Sequence, residues 1–226
     1  MRIGVLGTGS VGQALAGRLH ELGHDVVLGT RDPEESANRR DPQPGGSAPV
    51  GVWLARHPGI RLASFADAAA WAEMVVNATN GRSSLAALET AGAENLRDKV
   101  LVDVANALDF SAGMPPSLLL KDTDSLGEQI QRAFPETRVV KTLNTMTARL
   151  MAEPRQLADG AHTVFVSGDD PGAKQAVTGL LTSMGHTDVL DLGDISTARG
   201  PEHWLPLWLR LMGSLGTSEF NLRIVR

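Results

Sequence analysis

Short apolar runs recur along the chain, and between them apolar positions return at helical spacing. Runs at Arg2–Leu6, Asp25–Leu28, Ile60–Leu62, Met74–Asn77, Val100–Val104, Arg138–Leu143, Thr163–Ser167 and Asp188–Leu190 read as strands. Between the first two, Val11, Leu15, Leu19 and Leu22 mark one face of a helix, with Ala14 on the same side. Gly23 then stands where a helix end favours a left-handed residue. Apolar strands alternating with helices predict an α/β fold, a doubly wound, mainly parallel sheet covered on both faces. The pattern divides into a larger unit over residues 1–146 and a small C-terminal α/β portion over 147–226, expected to complete the sheet and close a cleft. From about Arg199 we expect one last helix and then a short strand at Phe220–Val225. The segment Asp41–Pro49 holds three prolines and two glycines, which forbids regular structure; a solvated surface loop is favoured over a substrate lid.

Composition narrows the function. The chain has 226 residues, 42% of them hydrophobic, and a formal net charge of −5, so no nucleic-acid surface is expected. Cysteine is absent, which removes disulfides, thiolate nucleophiles and thiolate metal sites, and suits a reducing cytoplasm. No stretch approaches the roughly 18 apolar residues of a membrane helix, and the glycines after Leu6 interrupt any secretory segment. The expectation is a soluble, cytoplasmic protein with no membrane partner.

The candidate chemistry starts at Gly7-Thr8-Gly9-Ser10-Val11-Gly12. This is a G-x-G-x-x-G turn that follows an apolar strand, opens an amphipathic helix, and is followed by a second strand within about thirty residues. In that context Gly7 permits the turn, Gly9 lets the backbone approach a pyrophosphate, and Gly12 lets helix and strand pack closely. Unpaired N–H groups at the helix start suit the anion. A dinucleotide-binding Rossmann unit is the reading. At the end of the second strand, Asp32 lies about twenty residues beyond Gly12, where an NAD enzyme holds its ribose hydroxyls with an acid. Asp32, Pro33 and Glu35 also fit N-cap, N1 and N3 of a capping box, and the cap is favoured. Thr30 and Arg31 are then left for the 2′-phosphate of NADPH.

Beyond that turn, the chain resembles the coenzyme F420-dependent NADP oxidoreductase family, which includes the cytosolic domains of the six-transmembrane (STEAP) ferric reductases. The motifs are the glycine turn, Gly29-Thr30-Arg31-Asp32, Val102-Asp103-Val104-Ala105-Asn106 and Val139-Val140-Lys141-Thr142-Leu143-Asn144-Thr145, and the likeness extends through Asp191-Leu192-Gly193. The resemblance implies hydride exchange between NADP(H) and a deazaflavin (coenzyme F420) or flavin as small-molecule redox partner. It implies that Thr8, Ser10, Thr30 and Arg31 hold phosphates. Asn77, Ala78, Thr79 and Asn80, with Ala105, Asn106, Ala107 and Leu108, would line the path to the nicotinamide. Asn144, Thr145 and Met146 would lie where the two rings meet. The chain departs from the archaeal deazaflavin reductases at Asn144, where they tend to carry histidine; the STEAP-like branch has asparagine there.

Read on their own, the polar residues that follow the strands suit a flat ring held by hydrogen bonds, and no catalytic acid or base is certain. Asn106, Asn144, Thr145 and Met146 are the ring-positioning candidates. Lys141 sits inside an alternating strand, so its side chain is expected outward or on a strand-end partner rather than in catalysis. The six histidines show no metal-ligand spacing, and no metal site is expected. Aromatic residues make up 4% and tyrosine is absent, so the second ring's site should be aliphatic and backbone, including Met146 and Met212. Two rivals stay open: a small-substrate dehydrogenase of the β-hydroxyacid or imine reductase type, and a non-catalytic NADPH sensor. The apolar cluster Trp204, Leu205, Leu207, Trp208, Leu211 and Met212 exceeds one buried stripe and suits either a dimer interface or core alone; the family resemblance points to a homodimer.

Overall fold

The computed structural model describes residues 1–41 and 47–226. In chain order the elements are β1 (Arg2–Leu6), α1 (Ser10–Glu21), β2 (Asp25–Thr30), α2 (Pro33–Asn38), α3 (Val50–Leu54), β3 (Arg61–Ser64), α4 (Phe65–Trp71), β4 (Met74–Asn77), α5 (Ser84–Ala91), α6 (Ala93–Leu96) and β5 (Val100–Asp103). There follow β6 (Leu108–Asp109), β7 (Ser117–Leu118), α7 (Leu126–Ala133), β8 (Arg138–Thr142), α8 (Ala148–Ala152), β9 (Thr163–Ser167), α9 (Pro171–Met184), β10 (Asp188–Gly193), α10 (Arg199–His203) and α11 (Leu205–Leu215).

Eight strands form one sheet in the order β10-β9-β8-β5-β4-β1-β2-β3. All neighbours run parallel except β8 and β9, which meet antiparallel over Lys141–Ser167 and Thr142–Val166. The strands read as near-continuous apolar runs because both faces are covered. Ile3 and Val5, Val26 and Leu28, and Met74 and Val76 point to a core shared with α1, α8 and α9. Leu6, Val27 and Val75 point the other way, toward α4, α5 and α7. After β1 the chain winds outward through β2 and β3, then crosses back to β4 on β1's other side. The loops that follow β1 and β4 therefore diverge and leave a crevice at the strands' C-terminal edge, the usual ligand position in such sheets.

Local chemistry ends the helices where expected. Asp170 caps α9 by accepting from the Ala173 N–H at 2.6 Å, Pro171 opens that helix, and left-handed Gly185 closes it. Gly23 after α1 takes φ +84°. Two expectations fail at the C-terminus. The single last helix is two, because Pro206 sits in the first turn of α11, where it has no N–H to continue α10. Phe220–Val225 is not a strand. The tail crosses the start of β9, where Leu222 accepts from the Thr163 N–H at 2.8 Å and the Ile224 N–H donates to the Thr163 hydroxyl at 2.9 Å, with no run of paired backbone. The short β6–β7 hairpin has no counterpart among the expected elements. Of the Pro/Gly-rich segment 41–49, residues 42–46 lie outside the described residues.

Candidate functional site

Two cavities open along the crevice and meet at Ala78 and Thr79, which line both. The first, about 530 Å³, runs from the glycine turn to α2 and is lined by Gly7, Thr8, Gly9, Thr30, Arg31, Asp32, Ser36, Arg39 and Asn80 among others. The second, about 480 Å³, is lined by Ser10, Val11, Val104, Ala105, Asn106, Met146, Thr147, Arg149, Met151, Ser218 and Glu219, with no aromatic side chain among its described lining.

The glycine turn is built by exclusion. Gly7 has φ +118°, and a Cβ there would stand 2.4 Å from the Ala78 carbonyl oxygen. A Cβ on Gly12 would stand 1.9 Å from the Gly7 carbonyl oxygen, so α1 can start against the turn only with glycine at that place. Gly9 is different: among the described residues nothing lies within 4 Å of where its Cβ would be. It is the N-cap of α1, and among the described residues no side chain caps that helix and no acid stands in its first turn. The first amides are thus free for an external anion, in contrast to α9, whose N-terminus is filled by Asp170. Gln13 is buried beneath the turn and donates to the carbonyls of Thr8 at 2.9 Å and Ala48 at 2.8 Å. Uncapped amides, open space at Gly9 and two guanidinium groups farther along fit a ligand carrying several phosphates.

At the tip of β2, Arg31 is exposed into the first cavity. Thr30 is buried, and its hydroxyl lies 2.8 Å from that of Ser36. Asp32 caps α2, its carboxylate accepting from the Glu35 N–H at 2.9 Å, with Pro33 in the first turn. Arg39, tied to Glu35 at 2.7 Å, adds a second guanidinium to the wall. The sequence pattern alone does not single out Ser36 and Arg39. Ser36 lies on α2 one turn past the cap Asp32, and Arg39 follows three residues later at the C-cap, so their spacing from Asp32 is the signal for both.

The other expected residues fall into two groups. Ala105, Asn106 and Met146 line the second cavity, and Asn80 lines the first. Asn77, Ala107, Asn144 and Thr145 are buried and line neither, and Met212 is likewise absent from both. Leu143 takes the left-handed backbone conformation, φ +61°, and this turns Asn144 away from the strand line. Asn144 then donates to the Asn106 side-chain oxygen at 3.0 Å, and the Asn106 amide donates to the Asn144 carbonyl at 2.8 Å. The Asn106 amide is thereby held rigidly at the cavity wall. Arg149, Ser218 and Glu219 are additions from the C-terminal portion; Arg149 and Glu219 form an ion pair of 3.6 Å. Lys141 does not point outward. It is fully buried against Asp103 at 2.8 Å and Glu202 at 3.0 Å.

The family described as "NADP oxidoreductase coenzyme F420-dependent" matches residues 2–107. A crystal structure of a candidate F420-dependent NADP reductase from Arthrobacter sp. FB24 superposes with a TM-score of 0.96, is 60% identical, and covers 100% of both chains. The chain belongs to the F420-dependent NADP oxidoreductase family. It is accordingly an NADP-dependent oxidoreductase with an α/β Rossmann fold. The F420-dependent NADP reductase of Methanothermobacter thermautotrophicus is 27% identical over 93% of this chain and 89% of its own length. The metalloreductase STEAP3 of Rattus norvegicus is 31% identical over 92% of this chain, but the chain spans only 38% of that protein. Among the described residues, no helix is long and apolar enough to cross a membrane.

Proposed function

We propose that NADP(H) lies along the two cavities and exchanges hydride with a deazaflavin, coenzyme F420, or with a flavin in the second. The reading is carried by one observation: the uncapped start of α1 stands at the crevice between two confluent cavities. The amides of Ser10 and Val11 hold the pyrophosphate. Arg31, with Arg39 and Ser36, takes the 2′-phosphate, while Thr30 supports Ser36 rather than reaching the ligand itself. NADP(H) supplies the hydride; the protein excludes water with Met146 and Met151 and holds the ring faces with Ala105 and the fixed Asn106 amide. No strong acid or base is needed at the reacting edge.

Stopped-flow oxidation of NADPH against coenzyme F420, FMN, FAD, quinones and ferric chelates tests the acceptor. Fast single-turnover transfer to coenzyme F420 or a flavin is expected; transfer to ferric chelates alone would overturn the ring-to-ring reading. We further propose a homodimer through α11, where Leu205 is buried while Leu207 and Leu215 are about half exposed (49% and 57%). Light scattering on the pure protein reads the mass directly.

A further inference from the structure

Beneath the crevice lies a charged cluster that the nucleotide reading does not use. Lys141 has three ammonium hydrogens and three acceptors: Asp103 Oδ2 at 2.8 Å, Glu202 Oε1 at 3.0 Å and the Ala105 carbonyl at 2.5 Å. Burial pushes the Lys141 ammonium toward neutrality, but the two carboxylates outweigh it and hold its pKa above the ordinary lysine value. Glu202 is completed by the N–H groups of Leu126 and Gly127, at 2.8 and 3.0 Å. Asp103 is completed on its other oxygen by the Asn77 amide at 2.8 Å and the Ala105 N–H at 3.2 Å.

Direction follows from donor inventory. Lysine only donates, so Asp103 accepts on both oxygens, and the Asn77 nitrogen must face it. The Asn77 oxygen therefore faces Thr79, and accepts its N–H at 3.3 Å and its hydroxyl at 2.6 Å. The Thr79 proton is committed inward. One Thr79 lone pair meets the Ser84 hydroxyl at 2.9 Å, and the other is left for the crevice, where Thr79 lines both cavities.

We propose that the Lys141–Asp103 pair is a positioning device. Acting through Asn77, it holds the Thr79 hydroxyl as a hydrogen-bond acceptor for a donor of NADP(H), either a ribose hydroxyl or the carboxamide N–H, and disfavours a phosphate oxygen there. The inference rests on the nucleotide placement proposed above. Asp103→Asn breaks the chain with almost no change of shape. Lys141 draws the new amide oxygen, so the new NH₂ faces two donors, the Asn77 amide and the Ala105 N–H, and Asn77 loses the acceptor that fixes its orientation. The Thr79 hydroxyl is then no longer committed inward.

A double-mutant cycle read by calorimetric Kd for NADPH tests this. Asp103→Asn and Thr79→Ala should each weaken binding by about tenfold, the scale of one hydrogen bond, and the double variant should lose no more than either alone. Additive losses would overturn the proposal, because a general disturbance of the fold would persist without the Thr79 hydroxyl. If Asp103→Asn does not fold, Asn77→Ala, which keeps the Lys141 ion pairs, enters the same cycle with the same expectation. Repeating the cycle with the 3-acetylpyridine analogue of NADPH separates the two donors: coupling that persists assigns the ribose, and coupling that disappears assigns the carboxamide. Absence of heat with NADPH in the unaltered protein would instead remove the placement, and this proposal with it.

Discussion

Gly9 and Gly12 belong to one turn but do different work. A methyl group on Gly12 would collide with the Gly7 carbonyl, whereas one on Gly9 would project into empty space from an extended backbone, φ −75°, ψ −172°, that alanine adopts freely. Gly12→Ala should therefore cost several times the usual surface substitution, about 2–3 kcal/mol or more in denaturant unfolding. Gly9→Ala should stay within about 0.5 kcal/mol of the parent yet bind NADPH at least about tenfold more weakly, because the methyl stands where a phosphate must approach. Full affinity in Gly9→Ala would place the pyrophosphate elsewhere. Arg31→Ala removes a charge-assisted bond worth about 1.5–3 kcal/mol, so the NADPH-to-NADH ratio of kcat/KM should fall roughly ten- to a hundredfold. An unchanged ratio would give the phosphate to Arg39 alone. At this scale the glycine turn was legible because its spacing is local. The contact between the Thr30 and Ser36 hydroxyls was not, because it depends on a residue one helix turn later.

The short helix α2 carries Ser36, and Arg39 at its C-cap, to the first cavity, and its start depends on Asp32. Asp32→Ala removes the N-cap and should cost about 1 kcal/mol. If α2 positions the phosphate ligands, NADPH binding weakens with it. Asp32→Ser keeps a capping oxygen and should keep both stability and affinity. Equal loss in both variants, measured by melting and by titration, would mean that the carboxylate itself holds the nucleotide, the role expected of an NAD enzyme. The strands were legible for a related reason. Burial on both faces writes an unbroken apolar run, and lone charges in it stand out. What the run conceals is orientation. Lys141 was expected outward or on a strand-end partner; a central strand of a covered sheet has no solvent side, and Asp103 at the end of β5 is the partner it meets. Asp103 and Lys141 are register partners across β5 and β8, and that match is visible only once the two strands are known to be neighbours.

Across the whole molecule, the strand sequence and the crevice followed from alternation and chain order, and a C-terminal portion closing a cleft was expected, but the particular residues that close the second cavity were not. Ser218 and Glu219 come from a tail without periodic pattern, brought back over α8 by contacts no local rule encodes. The same assembly depends on buried histidines. His186 Nε2 lies 3.1 Å from the Met151 carbonyl of α8, and His162 Nε2 lies 3.2 Å from the Pro154 carbonyl, with the rings edge to face at 6.0 Å. Burial pushes the His186 pKa down to about 4, its bond to Met151 raises it only in part, and the neighbouring His162 lowers it further. In the unfolded chain His186 titrates near 6.5. Below that pH the unfolded state takes up a proton that the folded state refuses until about pH 4, so stability is full above about 6.5 and falls as the solution is acidified. The loss from this one group is about 2–3 kcal/mol between pH 7 and pH 4.5. The carboxylates act lower: Arg199 holds Glu128, and the Thr163 hydroxyl holds Asp188, below the usual range, so their contributions disappear only under about pH 4. His24, also lowered by burial, adds a slope of the same sign that a change at His186 leaves in place. Urea unfolding of His186→Gln between pH 7 and pH 4.5 should therefore show a clearly flatter decline than the parent. A decline as steep as the parent's would mean that His186 carries its proton in the folded protein, and that acid opens the C-terminal docking by another route.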